Sequence, residues 1–465
     1  MNPAALDEQD RTPAASGMLL VCILSVAATL TRWGGFTWEG LVLLLGAVAL
    51  ALLLHVRPKA VRMDAETLLL GMLIAFLTVI CCLANGESET KRPYRVHGFP
   101  SDILLLNACG RTIKILAAGA LLAAFTFLFE RIKSGWTTRV RFCLIVAAAI
   151  VMRILILCSS PQAIVYERMD VIRIETDAAR AFFQEGKNGY TLKFPAPVND
   201  LGAASKDYGL PYPPTAVYPP MAFWYVFGDV RTAWVACDLA AALMIYLLAR
   251  RMRPGQGRFH ELVTAAFLFM PRSLFVLENG WTEPLMAAAL GGVALALATA
   301  RGPLLTGCLM GVWLTSKQYV VLAIPLLIRL RRASVNAWLW AAVAGIALTL
   351  PFLLWDFRAL VDKTLLFFFE SPGRADSLSV YGAMARSGME LPAWVSLGIW
   401  LLGVGWLTWK MPRSLAGWLF SMATSWLIFF LVGKQAFINY YYFISFTLLL
   451  AVAASPAAAD RANDA

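Results

Sequence analysis

Apolar runs long enough to cross a bilayer alternate with short polar connections along nearly the whole chain. A helix needs about 20 apolar residues to span the hydrocarbon core. On that measure spans are predicted at 17–31, 39–56, 66–84, 112–130 and 141–158, before a long polar segment. After it they are predicted at 231–249, 261–278, 283–300, 303–316, 318–330, 336–355, 393–410, 415–433 and 437–454. The expected fold class is therefore all-α, a polytopic transmembrane helical bundle of about 14 spans. The runs 303–316 and 318–330 are short, which leaves room for one span plus a re-entrant piece. A transmembrane barrel would need short alternating strands, and such segments are absent.

The polar segment, 159–230, has its own pattern. Ile164, Met169, Val171, Ile174, Ala178, Ala181 and Phe182 recur at helical spacing among charged residues. This predicts an amphipathic helix lying in the interface plane. Gly186 to Tyr190 reads as a turn that ends it, since Gly and Asn favour helix C-termini. Tyr-Pro-Pro then occurs twice, at Tyr212–Pro214 and Tyr218–Pro220. Each pair predicts extended backbone followed by a helix start. The aromatic run after the second pair is too short to span and predicts a second interfacial helix.

Composition fixes the class. Of the 465 residues 59% are hydrophobic and only 15% charged, far from the soluble average. Mean hydropathy is +0.66. The net charge of +11 is read through topology. Arg57, Lys59, Arg62, Arg131, Lys133, Arg139, Arg141, Arg250, Arg251, Arg253, Arg258, Arg329, Arg331, Arg332, Lys410 and Arg413 all fall in connections on one side, expected to be cytoplasmic. The loops 159–230 and 356–392 are then outward. The outward segment 85–111, with Lys91, Arg92 and Arg95, departs from the rule. No nucleic-acid partner is needed to explain the charge. Most cysteines lie inside apolar runs, without metal spacing, and the three histidines are scattered. Neither a metal nor a cofactor is expected. The acidic N-terminus lacks a convincing cleavage site, so the first span is expected to remain as an anchor. Residues 1–16 and 455–465 read as tails, with 1–16 disordered. Residues 17–140 read as accessory transmembrane helices, and 141–454 as the part that carries the chemistry.

Several ionisable residues map to the outward side. Asp170 sits on the interfacial helix, where a carboxylate can take a proton from a hydroxyl. A solvated charge, or an ion pair with Arg168 or Arg173, is the plainer reading of it. Asp177 and Glu175 are rival acids on the same helix. Glu283 lies in ENGWTEPL, Lys317 in TSKQY, Lys434 in GKQAFINYYYF and Arg374 in SPGRADSLSVYG. Ionisable groups at membrane depth often mark a site, although a lone lysine at a helix end can simply snorkel. Lys317, Lys434 and Arg374 together suit a phosphate arriving along the bilayer. Asp177, Tyr218 and Glu283 are candidates to position a substrate.

The order of these features resembles the GT-C superfamily of polytopic glycosyltransferases, in particular its polyprenyl-phosphate-hexose-dependent mannosyltransferase-like group. The resemblance rests on Asp170, on a pattern of roughly A-x-x-x-F-x-x-G-x-N-x-Y within Ala178 to Tyr190, on Tyr218 to Pro220, and on Lys317. It covers about residues 141 to 454. It implies that Asp170 is a general base on a juxtamembrane helix and that transfer inverts the anomeric carbon. Four spans precede the loop where the family usually has one. ENGWTEP stands where the family often has Gly-Gln. No Asp-x-Asp accompanies Asp170, in line with no catalytic metal. The function so implied is transfer of a sugar from a polyprenyl-phosphate-linked donor. The acceptor would be a glycan, glycolipid or protein outside the cytoplasmic membrane. A lipid-linked-sugar flippase or another transporter is the alternative, which would favour internal repeats and discontinuous helices. No repeat is visible.

Overall fold

The computed structural model describes residues 12–31, 35–56, 65–83, 100–126, 135–162, 165–166, 169–194, 209–367 and 373–456. Among these residues there are 19 α-helices and no strand. Five helices precede the long polar segment: α1 (Thr12–Thr29), α2 (Trp38–Val56), α3 (Ala65–Leu83), α4 (Pro100–Thr126) and α5 (Gly135–Ser159). The segment itself carries α6 (Asp170–Glu185) and α7 (Pro214–Phe227). There follow α8 (Arg231–Met252), α9 (Gly257–Leu268), α10 (Ser273–Glu278), α11 (Glu283–Ala298), α12 (Pro303–Leu314) and α13 (Ile324–Leu330). The chain ends with α14 (Val335–Trp355), α15 (Phe357–Val361), α16 (Val380–Arg386), α17 (Ala393–Lys410), α18 (Leu415–Val432) and α19 (Ile438–Ala454).

Seven of these helices are long and apolar enough to cross a membrane: α2, α3, α4, α5, α8, α14 and α18. The expected total of about 14 spans is not reached on this measure. Two expected spans differ for local reasons. The run 261–278 is not one helix. Pro271 has no N–H and biases Met270 away from helical backbone, so α9 stops at Leu268. Arg272 then takes a left-handed φ of 69° before α10 begins. The run 318–330 is a 3-10 turn, Gln318–Ala323, leading into the seven-residue α13.

Helices α1 to α5 join α8 to α12, α18 and α19 in the largest apolar core, while α6 and α7 pack together in a separate one with Tyr190 and Phe352. Helix α1 packs on α19, α2 on α18 and α3 on α9. Arg272, at the Pro271 break, donates to the Thr31 carbonyl at 3.2 Å and so closes the end of α1. The interior is organised around α18, buried over 94% of its length. There Trp313 meets Trp418 and Trp426 edge-on, with centroids 6.2 and 6.3 Å away.

Helices α12 and α14 pack with almost no side chain between them. A Cβ on Gly307 would sit 2.4 Å from the Ala337 carbonyl, and one on Gly311 2.6 Å from that of Ala341. Spaced by four, the two glycines let backbones touch where no hydrophobic force separates protein from lipid.

The long polar segment, expected to lie at the interface, follows the expected outline with corrections. Helix α6 is amphipathic, burying Val171, Ile172, Ile174, Ala178, Ala179 and Ala181. Phe182, expected on that face, is instead exposed beside Phe183 and Trp355. Gly186 ends the helix in the left-handed region, as the turn signal predicts. Each Tyr-Pro-Pro was expected to start a helix, but only the first does. Pro214 is the first residue of α7, while Pro219 and Pro220 lie inside it. Their missing N–H groups fall past the first turn, so the helix forgoes the bonds that residues 219 and 220 would make to the Thr215 and Ala216 carbonyls.

Candidate functional site: buried carboxyls and cations at one end of the helices

Asp170 is the first residue of α6 and is half-buried, with its Oδ1 accepting the Val171 N–H at 2.8 Å. An acid in the first turn suits the positive helix end. Burial pushes the Asp170 carboxyl up from its ordinary value, and the positive Arg374 and Arg173 oppose that rise. One turn further, Glu175 is 2% exposed. Its Oε2 accepts the Trp234 indole N–H at 3.2 Å, and its Oε1 has no partner. Burial drives the Glu175 carboxyl well above the ordinary range; Trp234 and Lys317 pull it down and Glu283 adds to the rise.

Glu283 begins α11 and is fully buried. Lys317 follows α12 in extended backbone and donates to Glu283 Oε1. Glu283 Oε2 is unpartnered. Three tyrosine rings surround the ammonium, their centroids 5.3 Å (Tyr440), 5.6 Å (Tyr212) and 5.8 Å (Tyr319) from Nζ. Such contacts stabilise a desolvated cation. The Tyr319 hydroxyl lies beside Glu283 but donates to the Met286 sulfur at 3.3 Å.

Tyr212 is placed by the turn after α6. The Asn188 side chain accepts the Tyr190 N–H at 3.0 Å. The buried Tyr190 hydroxyl then donates to the Tyr212 carbonyl at 2.6 Å. Gln318 holds the same strip, donating to the Pro211 carbonyl at 2.6 Å and that of Thr364 at 2.8 Å.

Arg374 forms a two-point pair with Asp376, at 2.9 and 2.6 Å. It lies over the Phe437 ring at 4.5 Å. Its N–H donates to the Lys434 carbonyl at 3.1 Å. Burial lowers the Lys434 ammonium from its ordinary value. Tyr440 is within electrostatic reach of Glu283, Arg374 and Asp170 together.

Four expected site residues therefore converge: Asp170, Glu283, Lys317 and Arg374. Lys434 joins them through its backbone. Two sit apart. Asp177 accepts the Tyr166 hydroxyl at 2.8 and 2.9 Å and pairs with Arg180 at 3.3 Å. Tyr218 donates to the Leu348 carbonyl at 2.8 Å and ties α7 to α14. Glu175, named only as a rival acid, proves more central than Asp177. Its place one residue after Ile174 and three before Ala178 puts it on the buried stripe. Tyr212, Tyr319, Tyr440 and Asp376 lie in segments the sequence had drawn attention to, but for other residues, and Trp234 carried no signal apart from its proximity in space.

The arrangement offers a half-buried carboxyl at Asp170, two buried ones at Glu175 and Glu283, and two cations, Lys317 and Arg374, each paired with a carboxylate. Among the described residues no three His, Cys, Asp or Glu side chains converge to hold a metal. An open groove lined by Ile154, Leu157, Cys158, Phe227, Asp229, Thr232 and Val235 shares no residue with the cluster. Compared with protein-family models and with curated proteins, the chain matches none.

Proposed function

We propose that this protein is a membrane glycosyltransferase that takes a sugar from a polyprenyl-phosphate-linked donor. The acceptor would be a glycan, glycolipid or protein on the outer face of the cytoplasmic membrane, and about 14 membrane segments, several of them short, would hold the site. The observation that carries the reading is the convergence of Asp170 with Lys317 and Arg374 around Tyr440, beside an amphipathic helix. A donor anchored by its lipid tail delivers a phosphate to such a place and no deeper.

In the reaction the acceptor oxygen bonds to the anomeric carbon as the bond from that carbon to the phosphate oxygen breaks. The acceptor proton passes to Asp170. The departing phosphate monoester keeps the electron pair, and Lys317 and Arg374 meet its charge. Attack opposite the leaving group inverts the anomeric carbon. A raised carboxyl at Asp170 is the stronger base.

The test is transfer of label from a synthetic short-chain polyprenyl-phosphate sugar in membranes carrying wild type or Asp170→Asn. Transfer by wild type and a loss of about 10²-fold or more in the variant is expected. Full activity in Asp170→Asn, with normal insertion, removes the base assignment.

A transporter is the second reading, and the break at Pro271 between α9 and α10 favours it. Discontinuous helices recur where transporters bind their substrates. Labelled lipid-linked sugar crossing vesicles without covalent transfer decides for it.

A further inference from the structure

We propose that Glu283 gates Lys317: an anionic phosphate group takes the ammonium from Glu283, and the carboxyl so released takes up one proton from solvent. The inference rests on the polyprenyl-phosphate reading for the identity of the ligand, and on geometry for the exchange.

Lys317 is already engaged. Its ammonium bonds Glu283 Oε1, so a phosphate that binds Lys317 has to displace that oxygen. The exchange leaves Glu283 fully buried without its cation. No second cation is shown to bond it, and Oε2 has no charged partner even before the exchange, only the neutral Tyr319 hydroxyl nearby. A lone buried carboxylate is strongly unfavourable, whereas a neutral carboxyl tolerates such a site. Protonation removes the penalty.

The surroundings reinforce this. Glu175 faces the pair from α6 as a second buried carboxyl. Tyr212 faces it from the strip before α7, Tyr319 from the 3-10 turn and Tyr440 from α19. Trp234, on α8, donates only to Glu175. Arg374 and Asp170 act on Tyr440 electrostatically, as Glu283 does, and neither is shown to bond Glu283. None of these neighbours brings Glu283 a second positive charge, since the Tyr319 hydroxyl beside it is neutral, and the three rings shield the ammonium. The lysine side chain is 6% exposed, against 0% for Glu283, so an arriving anion meets the cation first.

The device selects for phosphate. A neutral sugar or lipid cannot draw Lys317 away, so the cation is offered only when an anion arrives with a proton.

The test uses the purified full chain in nanodiscs. Binding heats for a short-chain polyprenyl phosphate and for inorganic phosphate are measured at pH 8, in two buffers of different ionisation enthalpy. At that pH a phosphate monoester has largely lost its second proton. Uptake of about one proton per ligand is expected, with affinity falling about tenfold per pH unit. Glu283→Gln should remove the uptake and flatten the pH dependence. Binding without uptake in wild type overturns the gate while the donor reading stands, and needs no variant to fold. Uptake that persists in Glu283→Gln also overturns it. Inorganic phosphate binding with uptake, alongside no binding of the lipid, keeps the gate and removes the lipid donor. No binding of either ligand removes both.

Discussion

Two buried ion pairs in this molecule have opposite characters. Arg153 and Asp238 are both fully buried and pair at 2.7 Å. Every polar atom there is used. Arg153 Nη1 donates to the Ala149 carbonyl at 3.0 Å, and Nη2 to that of Leu268 at 2.9 Å. The other Asp238 oxygen accepts the Tyr442 hydroxyl. Leu268 is the last residue of α9, so the guanidinium closes a helix end that Pro271 opened. The Glu283–Lys317 pair is as deep but incomplete, with Glu283 Oε2 and the neighbouring Glu175 Oε1 both unpartnered. Buried polar groups are nearly always bonded, so the exceptions call for a reason. A satisfied network holds a fold. An unsatisfied one is placed to accept something else.

Arg153→Met removes the cation of the satisfied pair. It strands Asp238 in the core and leaves the Leu268 carbonyl open. A loss of about 3–5 kcal/mol is expected, enough for the protein to fail to accumulate in membranes. Arg153→Met with Asp238→Leu should recover part of the level, because an apolar pair often replaces a buried ionic one at little cost. Yield and thermal denaturation in detergent check both. A single variant as stable as wild type would end the structural reading of this pair.

Lys317→Met makes the matching cut in the other pair. Its effect on stability should be smaller, since the lysine bonds Glu283 whereas Arg153 also closes the Leu268 carbonyl at a helix end. Its effect on transfer should be larger, about 10²–10³ in kcat, as when one group that meets developing charge is removed. Equal losses of stability in Lys317→Met and Arg153→Met would erase the distinction drawn above.

The sequence showed these two clusters unequally. The helical class, the amphipathic α6 and its glycine end follow from period and turn chemistry. Lys317 and Glu283 stand out as charges at the ends of apolar runs. Arg153 and Asp238 sit inside predicted spans and are separated by 85 positions. Nothing local announces that they meet. The two-glycine contact of α12 with α14 was equally silent, because its meaning depends on which helix lies opposite. The count of about 14 spans is not confirmed by helix length, and in two of the expected runs backbone chemistry breaks what hydropathy reads as continuous. The apolar run 261–278 reads as continuous, yet one proline divides it. Tyr218 illustrates the converse. Its motif drew attention, and its hydroxyl is spent on a carbonyl of α14.

The smallest expected effect is the most discriminating. Glu175 is isosteric with Gln, and Glu175→Gln keeps an acceptor for the Trp234 N–H. The folded protein holds the Glu175 carboxyl well above its ordinary value because of burial. Folding is therefore favoured by protonation. That contribution is fully present below the unfolded value of about 4.3 and is lost as pH rises through the raised folded value. Across that window each pH unit costs about 1.4 kcal/mol. Glu175→Gln should remove this slope, leaving stability near that of wild type in acid and above it at neutral pH. Thermal denaturation from pH 4 to 8 measures it. Transfer activity should change little if Asp170 is the base, and should vanish if Glu175 holds that role. A variant with the wild-type slope would mean that Glu175 is charged in the folded protein, and the contrast between a complete pair and an incomplete one would then rest on Glu283 alone.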